Sequence, residues 1–275
     1  MAVKPLPEHP FKRYEAANVC IYCDATEHLH DEHIIPFALG GRWILPGASC
    51  GECGKKTSAF EGTCARTILG PLRMLYDIRS RRRKKRPKTL PLKVRKTLGA
   101  DWTTVEVNRE EYPFLILLPL LELPDDLTGN VTAGERGAKT KNIWTRGAFG
   151  QLGVRPHLET LAKRFNVAEL MPTGEVDVPS FCLLLAKVAH SYATAKMGVG
   201  NFEPFLPQII TTGDLSNCVQ FIGGILDQEP ETNNLHEVSF EREIAPPGIV
   251  AVRIRLLACL GTPTYFVSAG RIAST

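Results

Sequence analysis

The sequence has 275 residues, of which 44% are hydrophobic and 23% are charged, a composition typical of globular proteins and not of disordered chains. The net charge of +4 excludes a uniformly polycationic chain. No apolar run reaches the ~18–20 residues that a membrane-spanning helix needs, and the N-terminus lacks the apolar core of a secretory signal. We therefore expect a cytoplasmic protein with no membrane contact.

Residues 1–17 are polar and rich in proline, and we expect them to form a loosely attached arm. Four of the eight cysteines follow in a unit that we place at residues 18–78, as two Cys-x2-Cys pairs at Cys20, Cys23, Cys50 and Cys53. Thiolates two residues apart can face one ion, and two such pairs complete the tetrahedral site that zinc prefers. The alternative is two disulfides or buried thiols; the missing secretory signal disfavours disulfides, and chance rarely gives two such regular pairs. The spacing predicts a structural zinc ion, and the apolar periodicity after Cys53 predicts a helix.

A strongly basic segment follows this unit. Residues 79–96 contain eleven lysines and arginines and no acidic residue, which leaves the rest of the chain at −7. With its two prolines, the segment is predicted to be an exposed linker or arm over residues 79–98. Such localised charge favours phosphate contacts over a solvated charge run or a localisation signal. The predicted nucleic-acid contacts are Arg73, Arg79, Arg81, Arg82, Arg83, Lys84, Lys85, Arg86 and Lys88.

The second half, residues 99–275, is predicted to be a separate α+β domain that we assign to no family. The elements predicted there are strands at 102–107 and 112–118, as a hairpin, helices at 157–169 and 179–196, and strands at 219–225, 249–258 and 263–269. We expect this domain to add binding, homodimerisation or regulation.

The gap between the two cysteine pairs places an acidic residue directly before a histidine, followed by Ile-Ile-Pro. Together with the cysteines and a Gly-Gly step, this pattern resembles the HNH endonucleases over about residues 18–87. The matching motifs are Cys20–Cys23, Asp31–Pro36, Gly40–Gly41 and Ser49–Cys53. The resemblance implies a ββα-metal nuclease unit on a zinc-stabilised scaffold, within a chain of the α+β class.

The resemblance also assigns roles to residues of the motif. It implies that His33 is the general base and that Glu32 is a ligand of the catalytic Mg²⁺ or Mn²⁺. A neutral histidine has a suitable basicity near pH 7, and a carboxylate is a suitable ligand for a hard cation. Asp31 is the second candidate, because alternation along a strand places it on the same side as His33.

Two positions depart from the family pattern. The residue after the last cysteine, where many members carry a metal-facing Asn or His, is Gly54, and the family's middle Asn falls near Leu45. On a helix that begins near Cys53, residues 54, 58 and 61 share one face. Glu61 is therefore the predicted substitute ligand, with Ser58 as the second choice.

The leading hypothesis is a metal-dependent HNH endonuclease that hydrolyses DNA, in a context such as restriction or phage defence. The alternative is a zinc-stabilised nucleic-acid-binding protein that has lost cleavage, which the glycine at position 54 favours. A third hypothesis is an RNA nuclease, or a nuclease that is held inactive until the C-terminal domain senses a signal.

Overall fold

A computed structural model describes residues 5–78, 87–129, 140–148, 154–171, 176–225 and 229–273, and these form a mixed α+β fold, as the sequence predicts. Near the N-terminus, three strands make a small sheet in the order β1–β3–β2. Strand β3 (Trp43–Cys50) is central, with β1 (Lys12–Arg13) parallel to it and β2 (Leu29–His33) antiparallel. This sheet carries the Asp-Glu-His motif on β2.

The turn that leads from β2 to β3 depends on its two glycines. Gly40 has a φ of +88°, a left-handed conformation that favours glycine. A Cβ atom on Gly41 would lie 2.0 Å from the carbonyl oxygen of Ile35, closer than a side chain can approach. The Gly-Gly step therefore lets the chain turn tightly behind the Ile-Ile-Pro segment.

Helix α1 (Gly51–Arg66) begins within the second cysteine pair, and α2 (Gly70–Leu75) follows it. Cys50 caps α1, because its sulfur accepts a hydrogen bond from the amide of Cys53. The buried face of α1 includes Phe60 and Cys64, members of the periodic apolar set that predicted a helix here.

Part of the basic segment forms a strand. Residues 79–86 lie outside the described residues, but β4 (Thr89–Arg95) is a strand that pairs with β5 (Thr103–Asn108) and β8 (Glu169–Met171). The linker prediction is wrong for these residues because Leu90, Leu92 and Val94 alternate into the core.

The hairpin predicted between the strands at 102–107 and 112–118 is also wrong. Strand β6 (Phe114–Leu121) pairs with β7 (Thr140–Ala148), and β5 pairs with β4. A short 3-10 turn, Arg109–Glu111, separates β5 from β6 and redirects the chain. The predicted strand at 219–225 is instead a short helix, α7 (Cys218–Phe221), followed by β10 (Ile222–Gly224).

The remaining predicted elements lie close to their expected positions. They are helices α4 (Val154–Phe165) and α5 (Val178–Met197) and strands β12 (Ile249–Leu256) and β13 (Tyr265–Ile272). The elements of the second half that were not predicted are β7 and β8, described above, and α3 (Asp125–Thr128), β9 (Phe202–Pro204), α6 (Pro207–Thr212) and β11 (His236–Glu241). Strands β9 to β13 form one antiparallel sheet, in which β13 is flanked by β9, β10 and β12.

Helix α5 joins the two halves of the chain. Buried side chains of α5, such as Leu184 and Val188, belong to the same hydrophobic cluster as Phe60 and Cys64 of α1. The domain boundaries at residues 78 and 98 stay a prediction, but the residues on either side of them share a core. Within the described ranges, no helix has the length and apolarity that crossing a lipid bilayer demands.

Three buried histidines, His9, His190 and His236, should make the fold acid-sensitive. Burial lowers the pKa of His9 and of His190 to about 4 and the pKa of His236 to about 3. Between about pH 6.5 and about pH 4 the unfolded chain therefore binds protons that the folded chain does not, so stability falls as the pH falls. Each imidazole contributes up to about 1.4 kcal/mol per pH unit.

Urea unfolding at about pH 7 and about pH 5 measures this loss. The exposed His30 supplies the control, because His30→Asn should leave the difference between the two pH values unchanged. A free energy of unfolding that does not change between the two pH values would contradict the prediction.

Candidate metal centre and active site

The four cysteines of the two pairs meet in space. Their sulfur atoms all lie within 4.8 Å of one another, and the sulfurs of Cys23 and Cys50 are 3.6 Å apart. Zinc–sulfur bonds of ~2.3 Å place the sulfurs of a tetrahedral site about 3.8 Å apart. The cluster therefore fits a zinc ion held by Cys20, Cys23, Cys50 and Cys53, as the spacing predicts. It is the only group of three or more metal-binding side chains found in the part of the chain that the structure describes.

The start of α1 prepares one of these thiols for metal binding. The amide of Cys53 donates to the sulfur of Cys50 at 3.5 Å and is the main reason that the pKa of Cys50 is lowered to about 7. Burial raises the pKa of Cys20. Since a metal ligand must be a thiolate, the helix N-terminus favours the charged form of Cys50 that the cluster needs.

The small sheet presents His33 on its outer face. Arg13 and His33 both lie opposite Ile44, so the three side chains form one row across the sheet. Asp31 lies on the same face, because it accepts a hydrogen bond of 2.8 Å from the guanidinium of Arg13. His33 is half-buried, with its ring 5.9 Å from that of Phe37. Asp31 is thus placed near His33 by its bond to Arg13, although the pairing register of β2 shifts between His30 and Glu32.

Glu32 lies on the opposite, inner face of the sheet, towards α1 and α5. Its register partner is the buried Leu45, and Trp43, on the same face of β3, stacks on Tyr192 of α5. The carboxylate of Glu32 is 2.6 Å from the ammonium of Lys187, and the carboxylate of Glu61 is 2.9 Å from the same nitrogen. The motif therefore places its glutamate and its histidine on different faces.

Lys187 is completely buried in α5 and makes no contact with solvent. Besides the two carboxylates, its ammonium donates to the carbonyl oxygens of His33 and Ile34. Burial alone would lower the pKa of Lys187, but Glu32 and Glu61 raise it above its ordinary value, so the side chain is charged. Burial raises the pKa of Glu61, and the ammonium opposes this effect.

Tyr22, from the first cysteine pair, lies beside these groups. The residue is buried, and burial together with the charges of Glu32 and Glu61 raises its pKa well above the ordinary value. The phenol is therefore neutral and forms part of the wall around the inner carboxylates.

The structure thus brings together Glu32 and Glu61, the two predicted ligands of the catalytic metal, but around an ammonium ion. Both carboxylates are ion-paired with Lys187, and their role as ligands of the catalytic metal stays a prediction. Ser58, the other predicted helix ligand, is exposed. A Cβ atom at Gly54 would lie 3.6 Å from the hydroxyl of Ser49, so there is room for a side chain but glycine has no donor to offer.

Seven of the predicted nucleic-acid contacts lie outside the described residues: Arg79, Arg81, Arg82, Arg83, Lys84, Lys85 and Arg86. Lys88 is exposed at the start of the region that leads into β4. Arg73 is half-buried, and its guanidinium donates to the carbonyl oxygens of Ala38 and Ala65 at 2.7 and 2.6 Å. These two bonds give Arg73 a structural role, and its contact with nucleic acid stays a prediction.

Replacing Arg73 with alanine should lower the free energy of unfolding by about 1–3 kcal/mol, because two backbone carbonyls lose a charged donor. Thermal or urea unfolding measures this change. Arg66→Ala is the control, since Arg66 is an exposed arginine at the end of α1, the helix that precedes α2 and Arg73. A stability equal to that of the wild type would show that the carbonyls find other donors.

Sequence reasoning missed Lys187 and Arg13. The signal for Lys187 is weak but present, because it is a single cation within the apolar run Leu183–Ala189. Such a lysine needs a buried anion. Nothing local in the sequence identifies that anion as Glu32, which is more than 150 residues away.

The comparisons with known proteins agree with the motif. Residues 20–61 match a family described as HNH endonuclease. No curated protein and no solved structure gives a match to the chain. The matched range contains the four cysteines, the Asp-Glu-His motif and Glu61, and it excludes Arg13 and Lys187.

Proposed function

We propose that this chain, which carries an HNH endonuclease domain at residues 20–61, is an endonuclease that hydrolyses phosphodiester bonds in DNA. The observation that carries the proposal is the position of His33 on the outer face of a strand whose frame is fixed by the four-cysteine cluster. The histidine shares this face with a guanidinium and a carboxylate. A base, a cation and an acidic side chain are the groups that phosphodiester hydrolysis needs.

In the proposed reaction, the neutral imidazole of His33 takes a proton from a water molecule. The resulting hydroxide attacks phosphorus, the bond to the leaving oxygen breaks, and that oxygen takes up a proton from solvent. The guanidinium of Arg13 lies on the same face and can stabilise negative charge on the phosphate oxygens. The exposed ion pair between Arg13 and Asp31 contributes only ~0–1 kcal/mol, so the arginine can leave it to bind phosphate.

HNH nucleases are metal-dependent, and for this chain we propose Asp31 as the residue that would hold Mg²⁺ or Mn²⁺. Asp31 is exposed on the face of His33, whereas Glu32 and Glu61 are engaged by Lys187. Magnesium often binds through one or two carboxylates together with substrate phosphates.

Contacts to the DNA backbone would come from the basic segment and from cations near the sheet. A groove of about 650 Å³ beside β1 is lined in part by Lys12, Arg13 and Lys196. We also propose a role in restriction or phage defence, on the basis of the family resemblance. The chain's composition leads us to propose a cytoplasmic location, and residues 99–275 are proposed to form a homodimer.

The experiment that tests the function is cleavage of supercoiled plasmid by the zinc-loaded protein with Mg²⁺, with Mn²⁺ and with EDTA. Nicked or linear plasmid that appears only with the divalent ion supports the proposal. An RNA of the same sequence as one plasmid strand tests whether the nuclease acts on RNA instead. Intact plasmid in both metals, with DNA bound in a gel-shift assay, would overturn it.

That last outcome would favour a second function, a zinc-stabilised DNA-binding protein without cleavage. The observation on its side is the ion pairing of Glu32 and Glu61 with Lys187, together with the glycine at position 54. The retained His33 on an accessible face speaks for the nuclease.

Replacing the five basic residues from Arg81 to Lys85 with alanine should weaken DNA binding and reduce its dependence on salt. Each lost phosphate contact lowers the slope of log K against log salt by about 0.9 for duplex DNA. Gel-shift or fluorescence titrations at several salt concentrations measure the slope. The control is the pair Lys163→Ala and Arg242→Ala, exposed cations outside the segment. An unchanged slope in the five-residue variant would show that the segment does not touch phosphate.

A further inference from the structure

We infer that Lys187 is the resident cation of the Glu32–Glu61 pair and that it closes the inner face of the HNH motif to divalent metal ions. The inference goes beyond the proposed function, because it concerns ion binding and holds whether or not the chain cleaves DNA.

The ammonium of Lys187 is surrounded by oxygen atoms of the kind that bind metal ions. Four oxygens approach the nitrogen, one from each carboxylate of Glu32 and Glu61 and two from the carbonyls of His33 and Ile34. An ammonium group has three hydrogens to donate, so these oxygens satisfy it fully. A hard divalent cation would bind the same kinds of oxygen, which means that the lysine and the metal compete for one set of ligands.

The ion pair between Lys187 and Glu32 is buried. The side chain of Lys187 has no exposed surface and that of Glu32 is 8% exposed. An ammonium in this position cannot withdraw to solvent by rotating its side chain, because it is anchored in α5 among the buried residues of the core. A divalent ion would have to enter beside a buried positive charge, and the repulsion between the two cations would exclude it.

The contact also links α5 to the base. Because the ammonium donates to the carbonyl oxygen of His33, it holds the strand at the residue whose ring faces the outer side. Lys187 is thus a positioning residue for the backbone of His33, which lies 154 residues earlier in the chain. The same ammonium that excludes metal from the inner face ties the C-terminal half to the HNH unit.

The test measures binding of Mn²⁺ to the zinc-loaded full chain by electron paramagnetic resonance, in the absence of DNA. Three proteins are compared: the wild type, Lys187→Met, and the triple variant Lys187→Met with Glu32→Gln and Glu61→Gln. Methionine keeps an unbranched side chain and removes the charge. We expect Lys187→Met to bind one more Mn²⁺ per chain than the wild type, and the triple variant to lose that ion. In the otherwise wild-type chain, Glu32→Gln should leave the amount of bound Mn²⁺ unchanged.

Two results with folded proteins would overturn the inference. The first is a loss of bound Mn²⁺ on Glu32→Gln in the chain that retains Lys187, since the metal would then reach the inner face despite the lysine. The second is a folded Lys187→Met variant that binds no additional Mn²⁺.

Removal of Lys187 leaves two buried carboxylates without a partner, so the variant can be unstable. For an unstable variant, thermal unfolding with and without Mn²⁺ shows whether the ion binds to the folded chain. The inference expects Mn²⁺ to raise the melting temperature of Lys187→Met and not that of the triple variant. Equal effects on the two variants, or a Lys187→Met chain that stays unfolded with Mn²⁺, would overturn it. Plasmid cleavage by the wild type reports separately on the nuclease proposal.

Discussion

Replacement of His33 with alanine should lower the rate of DNA cleavage by about 10²–10⁴-fold, the usual contribution of a general base. The reason is geometric, because His33 is the titratable base in the row that also contains Arg13 and Ile44 on the outer face. Plasmid cleavage under single-turnover conditions measures the loss. DNA affinity should change much less, since phosphate contacts from lysine and arginine supply most of the binding.

His30→Ala is the matched control for this substitution. His30 is exposed, lies on the same strand and is three residues from His33, but it pairs with Ser49 at the other end of β2. The control should cleave like the wild type, and both variants should retain zinc and the wild-type circular dichroism spectrum. Cleavage by His33→Ala at the wild-type rate would remove His33 from the role of base.

The part of the site that could be predicted from the sequence is the part held together by local spacing. Two residues separate Cys20 from Cys23 on a turn, and two separate Cys50 from Cys53 at a strand–helix junction, so their joint position follows from the spacing alone. Strand alternation also predicted that Asp31 lies near His33, and Asp31 does contact Arg13 on that face, although the register of β2 shifts there. These statements needed no knowledge of the rest of the fold.

The ion pair that engages Glu32 could not be predicted from the sequence. Alternation places Glu32 opposite His33, but whether that inner face is a metal site or a buried ion pair depends on what packs against it. Here the partner is Lys187, and only the packing of α5 on α1 brings it there. Long-range packing of this kind has no signature in local composition.

The linker prediction failed for a different reason. Leu90, Leu92 and Val94 alternate in the sequence, but the prolines and cations around them are typical of an exposed linker. The structure tolerates Pro91 because β8 pairs with β4 only from Lys93 to Arg95, so among the described strands β4 has a neighbour on one side alone at the proline.

Replacement of Cys53 with serine should abolish zinc binding and unfold the N-terminal part of the chain. Structural zinc sites contribute apparent binding free energies of about 10–16 kcal/mol, which is similar to or larger than the ~5–15 kcal/mol stability of most folded domains. The measurements are zinc content per chain and thermal unfolding. Cys64→Ala is the matched control, because Cys64 is buried on the same helix but lies outside the cluster, and it should keep the zinc and lose only about 1 kcal/mol.

The extent of unfolding in Cys53→Ser shows whether the stability of the C-terminal half depends on the zinc site. Since α1 and α5 share a core and Lys187 bridges Glu32 and Glu61, loss of the zinc should lower the melting temperature of the C-terminal half as well. Hydrogen exchange on α5 and β13 reports this effect directly, because both elements are buried and lie far along the sequence from the cysteines. Exchange at the wild-type rate in α5, in a variant that has lost its zinc, would mean that the C-terminal half folds without support from the metal centre.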